Sequence, residues 1–149
     1  MTGVITPNHA VIIGTSPGFD TRILEAATTA YPGRLMKKGT NDNDVVVCTA
    51  GAKPLGWLGF QKAVGDYKPD DIDTIYVIND EVPIHYGTGF GVRTSLASGE
   101  SVDEGEALTA AAAGEVASAT VGTDDICARA RQTVDASGGA ETIVVDSLI

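Results

Sequence analysis

The chain has 149 residues and a formal net charge of -10, with Asp+Glu 20 against Lys+Arg 10. That acid excess, without any Lys/Arg-rich run, argues against nucleic acid as a partner, because holding phosphates normally takes a basic face that releases counterions. The length fits one compact domain able to fold without a disulfide or metal, and no run approaches the ~20 apolar residues a membrane-spanning helix needs.

Residues 1–8 alternate apolar and polar side chains around Pro7, without the charged start and small-residue cleavage site of a signal peptide. They read as an arm that adds a strand to a partner's sheet edge through Thr2, Val4, Ile5 and Pro7. Ala10-Val11-Ile12-Ile13 is a short apolar run closed by Gly14-Thr15-Ser16-Pro17-Gly18. Residues 1–13 are therefore expected to form an arm and first strand, and residues 14–149 a single β-rich domain. In 20–30, Ile23, Ala26, Ala27 and Ala30 fall at near-helical spacing and predict one short helix, stopped by Tyr31-Pro32-Gly33. Residues 34–37, the turn 39–44 and the β-branched run 45–49 predict a hairpin. The next apolar segment, 54–60, holds Trp57 and Phe60, candidates for the core or for an interface, where aromatics concentrate. A loop, 65–73, leads into Thr74-Ile75-Tyr76-Val77-Ile78.

Glu81-Val82-Pro83-Ile84-His85-Tyr86 alternates, and its proline argues for an edge strand. Further strands are expected around Val92–Leu96, Val116–Val121 and Thr142–Ile149. Residues 124–134 are ambiguous: Ile126, Ala130 and Val134 fit a helix, while Ala128 and Ala130 inward with Arg129 and Arg131 outward fit a strand. A turn at Ser137-Gly138-Gly139 into the last strand favours the strand. Many short strands at this spacing make the protein mainly β, a small β-barrel or sandwich with at most one or two short helices.

Charge is unevenly spread. Residues 1–65 carry six basic against four acidic side chains, and 66–125 carry two against thirteen. The acidic part is expected to face solvent.

Chemistry-bearing motifs are weak. Cys48 and Cys127 sit in apolar runs and read as small core residues, with a disulfide between them left open. His9 and His85 are far apart and neither has a second ligand at zinc spacing, so no metal site is expected. Gly87-x-Gly89-x-Gly91 is followed by a strand pattern rather than a helix start, which makes it a glycine-rich turn or bulge and not a dinucleotide loop. The acids Asp66, Asp70, Asp71 and Asp73 lack the order and closing Glu of a calcium loop, so a solvated loop is expected, with Ca²⁺ as the alternative. Val102, Gly105 and Leu108 resemble the turn of biotinyl and lipoyl carrier domains, but the tip has no lysine to carry a swinging arm. No catalytic residue and no cofactor is expected.

One resemblance survives. Residues 96–108 with Ala113-Gly114-Glu115-Val116, the upstream segments Ala26-Ala27, Pro32-Gly33-Arg34-Leu35 and 54–59, and the ending from Ala128 to the terminal strand together resemble the capsid decoration (cement) proteins of tailed viruses. The similarity runs over residues 26–149 as a pattern of small residues and turns. It implies a small β-tulip-like or barrel protein, a homotrimer, bound to the major capsid protein on the outer surface of a virion. Such a protein is not an enzyme and binds neither nucleic acid nor membrane. The competing expectation is a β-sandwich adhesion or carbohydrate-binding module. Glycan modules usually present aromatic platforms, which a chain with 4 Tyr, 3 Phe and 1 Trp supplies poorly.

Overall fold

The computed structural model describes residues 11–63, 66–68 and 73–149. The architecture is mainly β. The first half of the chain contributes β1 (Ile12–Ile13), β2 (Gly18–Leu24), β3 (Leu35–Lys38), β4 (Asp44–Val47), β5 (Gly56–Leu58), β6 (Gln61–Ala63), β7 (Asp66–Lys68) and β8 (Glu81–Tyr86). The second half contributes β9 (Thr88–Leu96), β10 (Ser101–Val102), β11 (Ala107–Ala110), β12 (Val116–Ser118), β13 (Ala128–Ala130), β14 (Val134–Asp135) and β15 (Glu141–Leu148). Among the described residues the helical content is one 3-10 turn, Ala112–Gly114.

Two five-stranded barrels emerge. The first closes in the order β2-β4-β3-β5-β8. The second runs β9-β12-β11-β13-β15 and is closed by the pairing of β15 with β9. Closure removes the free edges that a small sheet would otherwise expose. β1 lies outside this ring, antiparallel to β9 with Ile12 opposite Val92. Gly87 alone joins the barrels, at φ +112°, a conformation that side chains rarely adopt.

The two barrels have the same topology strand for strand. In each, the first strand pairs parallel with the third (Leu24 opposite Val45, Leu96 opposite Val116), and every other pair is antiparallel. The registers carry six interior residues of the first barrel, Leu24, Met36, Val45, Leu58, Val82 and Ile84, onto Leu96, Leu108, Val116, Ala130, Ile143 and Val145 of the second. All twelve are buried and apolar. Backbone hydrogen bonds repeat as well: Glu25 N to Val45 O at 3.0 Å matches Ala97 N to Val116 O at 2.9 Å, and Leu58 N to Arg34 O at 2.8 Å matches Ala130 N to Glu106 O at 2.9 Å. Gly33 N to Leu58 O at 2.6 Å matches Gly105 N to Ala130 O at 2.7 Å. The chain is thus an internal tandem repeat.

Several sequence expectations are corrected. The short helix expected in 20–30 is instead β2 and the turns after it, because Leu24 is needed inside a barrel whose neighbours supply hydrogen bonds on both sides of the strand. β8 is not an edge strand: it pairs with β2 on one side and β5 on the other. Pro83 is tolerated because its carbonyl side faces Gly59, whose N–H it accepts at 2.8 Å, just past Leu58–Ile84 where the β5–β8 ladder ends. Within the expected loop 65–73, Asp66–Lys68 pairs with Gln61–Ala63 as a hairpin; Asp70 and Asp71 lie outside the described residues. Thr74–Ile78 is a loop that buries Tyr76 alone. In 124–134 the strand alternative holds, with Ala128 and Ala130 buried and Arg129 exposed. Cys48 and Cys127 are buried free thiols. Burial pushes each thiol up to about 12, so neither is a ready nucleophile.

Candidate interaction surfaces

The barrels meet through a one-sided contact. Along β3 and β5, Met36 and Leu58 face the first barrel's interior, while Leu35 and Trp57 face outward into the cluster that contains the second barrel's core. Trp57 is completely buried and donates Nε1–H to Ser147 Oγ at 3.0 Å. Ser147 belongs to the inward series of β15 with Ile143 and Val145, and its hydroxyl donates in turn to Gly87 O at 2.7 Å. The indole therefore seals an end of the second barrel, and its polar edge is satisfied there. Phe60 is half-buried against the same cluster.

Polar contacts lock the joint. Arg34 donates to Ala113 O at 2.8 Å, lies 4.0 Å from Glu115 and stacks 5.0 Å from the Tyr31 ring. Burial lowers the Arg34 pKa, against the opposing pull of Glu115. Gly114 N donates to Cys48 O at 2.9 Å. Gly33 presses so closely on the second barrel that a Cβ there would lie 2.2 Å from Arg93 O. Beside this joint runs an open cleft of about 410 Å³ lined by Tyr31, Arg34, Arg93, Ser95, Glu141 and Thr142 among others. Thr94 also borders it, and its buried Oγ1 has no hydrogen-bond partner among the described residues.

No described residue seals the corresponding end of the first barrel. Gly18, Asp20, Arg22, Val82, Ile84 and Tyr86 share one face, and Asp20, Arg22, Leu55, Ile84 and Tyr86 line a hollow of about 210 Å³. Its surroundings carry three of the exposed large apolar residues, Phe19 (59%), Tyr86 (43%) and Leu55 (36%). Tyr86 lies flat over Gly18, where a Cβ would be 2.1 Å from the ring. Asp20 takes Arg22 Nε at 2.9 Å. On the outer side, Phe19 packs edge-on to His85 at 5.1 Å, and Ser16 Oγ is hydrogen-bonded to His85 Nδ1 at 2.8 Å. Among the described residues no carboxylate bonds this imidazole, so the pair is not a Ser-His-Asp arrangement.

The other sequence candidates fall as follows. Thr2, Val4, Ile5 and Pro7 lie outside the described residues. Among the described residues no group of His, Cys, Asp and Glu is arranged to hold a metal ion, and no helix is long and apolar enough to cross a membrane. Charge divides by repeat: 88–149 holds three arginines and no lysine against ten acids, and 1–87 holds the other seven bases against ten acids. Sequence reasoning missed the open barrel end, because Asp20, Leu55 and Tyr86 converge only on closure. The repeat left one legible trace. Leu24, Ala30, Gly33 and Met36 have the same spacing as Leu96, Val102, Gly105 and Leu108.

No protein-family model matches the chain, and no curated protein matches it. Among solved structures, the chain is similar to the head fiber gp8.5 N base of bacteriophage phi29, with a TM-score of 0.53 at 11% sequence identity. The match covers 87% of this chain and 92% of that one, so both barrels lie within the shared fold.

Proposed function

We propose that this protein is a structural component of a virus head, and more finely a decoration protein that binds the major capsid protein on the outer surface of a tailed-virus capsid as a homotrimer. The observation that carries the reading is the near end-to-end likeness to the base of a phage head fiber. A decoration protein works by adding many modest contacts whose repetition gives avidity. Two closed barrels packed directly on each other suit that task, since few groups are left to order on docking. In this reading residues 1–8, with Thr2, Val4, Ile5 and Pro7, are the arm that reaches the shell, the acid-rich second barrel faces solvent, and no residue has a catalytic role.

The test is cosedimentation of the purified protein with heads that lack it. Saturable binding is expected, and deletion of residues 1–8 should weaken it without changing the circular dichroism of the barrels. Failure to bind heads, together with binding on a glycan array, would replace this reading by the carbohydrate-module alternative.

A further inference from the structure

The tandem repeat makes a specific demand on the unsealed barrel. Inside the chain, the outer face of one repeat (Leu35, Trp57) seats on the end of the next (Ser147, Cys127). By the shared register, Leu35 and Trp57 correspond to Ala107 and Arg129, while Ser147 and Cys127 correspond to Tyr86 and Leu55. Among the described residues of a single chain, neither corresponding surface is covered. Arg129 is exposed, and no ion pair or hydrogen bond holds its guanidinium among the described residues. Leu55 and Tyr86 are exposed around the hollow.

We infer that this protein associates head to tail with a second copy of itself, the β11/β13 face of one copy seating on the open end of the first barrel of the next. This deepens the proposal of a homotrimer above and rests on it only for the number of copies. The internal joint predicts the contacts of the external one. Trp57 against Ser147 becomes Arg129 against Tyr86, beside the Asp20 carboxylate that Arg22 already holds. Cys48, close enough to raise the pKa of Cys127, corresponds to Ala119 and places that residue against Leu55. Gly33, jammed on Arg93 O, corresponds to Gly105, whose Cβ direction is open space, and Arg93 corresponds to exposed Thr21. The strand order leaves a matching gap. β1 covers β9 at Gly91 and Val92, while the equivalent edge of β2 at Phe19 and Asp20 carries no strand among the described residues.

Such a contact joins two different surfaces, so it is heterologous and either closes into a ring or continues as a filament. A trimer closed this way would be a ring of alternating first and second barrels, with every barrel end sealed by its neighbour. The exposed Leu55 and Tyr86 would then be interface residues rather than surface ones.

The experiment is sedimentation equilibrium of the full chain and of two variants, Arg129→Ala and Leu55→Asp, with circular dichroism to confirm folding. Leu55 lies at the rim of the hollow and Arg129 points into solvent, so both variants are expected to fold. Self-association of the natural chain, weakened about tenfold or more by each substitution, is the expected result. A natural chain that stays monomeric overturns the inference, as does a closed oligomer indifferent to both substitutions. Head cosedimentation of the same samples keeps the two proposals apart, since a monomer that still binds heads sinks the seam and leaves the head reading standing.

Discussion

Gly33 and Gly105 occupy the same position in successive barrels, at φ +92° and +93°, yet only Gly33 has a neighbour in the direction of its missing side chain. Each turns the chain into the second strand of its barrel and donates its N–H to the barrel's fourth strand, at Leu58 O and Ala130 O respectively. Their conformational requirement is shared, and their packing is not. Gly33 is one of the points where the two barrels touch.

That difference separates two costs in a pair of substitutions. Gly105→Ala should cost about 1–2 kcal/mol, the strain of a side chain in the left-handed region with free space around it. Gly33→Ala adds an overlap with Arg93 O, a backbone atom that cannot swing away, and should cost well above about 3 kcal/mol. Urea denaturation of both variants measures the gap. Equal losses would show that the joint yields.

Thr94 offers a stabilising change. It sits beside Ile143 on the neighbouring strand of the second barrel, and its buried Oγ1 has no partner among the described residues. The corresponding residue of the first barrel is Arg22, which reaches Asp20 and Asp42 O at the open end. Replacing the hydroxyl by a methyl of similar shape removes an unpaired polar group, so Thr94→Val should raise stability by about 1 kcal/mol. The thermal midpoint reports this directly, and a lower midpoint would mean that the hydroxyl has found a partner.

His85 should make the fold acid-sensitive. Burial lowers its pKa from the ordinary 6.5, so the folded chain holds fewer protons than the unfolded one near that pH. Its contribution is therefore fully present above pH 6.5 and is lost progressively as pH falls through the depressed folded value. His85→Gln should flatten the fall of the thermal midpoint below pH 6.5. An unchanged slope would assign the acid sensitivity to carboxylates instead.

What the sequence by itself determined was the local alternation. Small and β-branched residues at period two, with glycine at the turns, make Thr142–Leu148 or Asp44–Val47 legible as strands. It also carried the spacing that marks the repeat, although between 24–36 and 96–108 only the Leu and the Gly are identical. Burial selects for apolar character and not for residue type, so Met36 serves where Leu108 does, and Leu58 where Ala130 does. Two things came only with tertiary structure. The helical spacing in 20–30 was overridden because barrel closure supplies β2 with partners on both sides, which no local pattern encodes. The distinction between the sealed and the open barrel end depended on Trp57 reaching Ser147, a hydrogen bond between residues far apart in the chain, and on no described residue doing so for Tyr86. Identical strand order produced both ends, and the packing of one repeat on the other made them different surfaces.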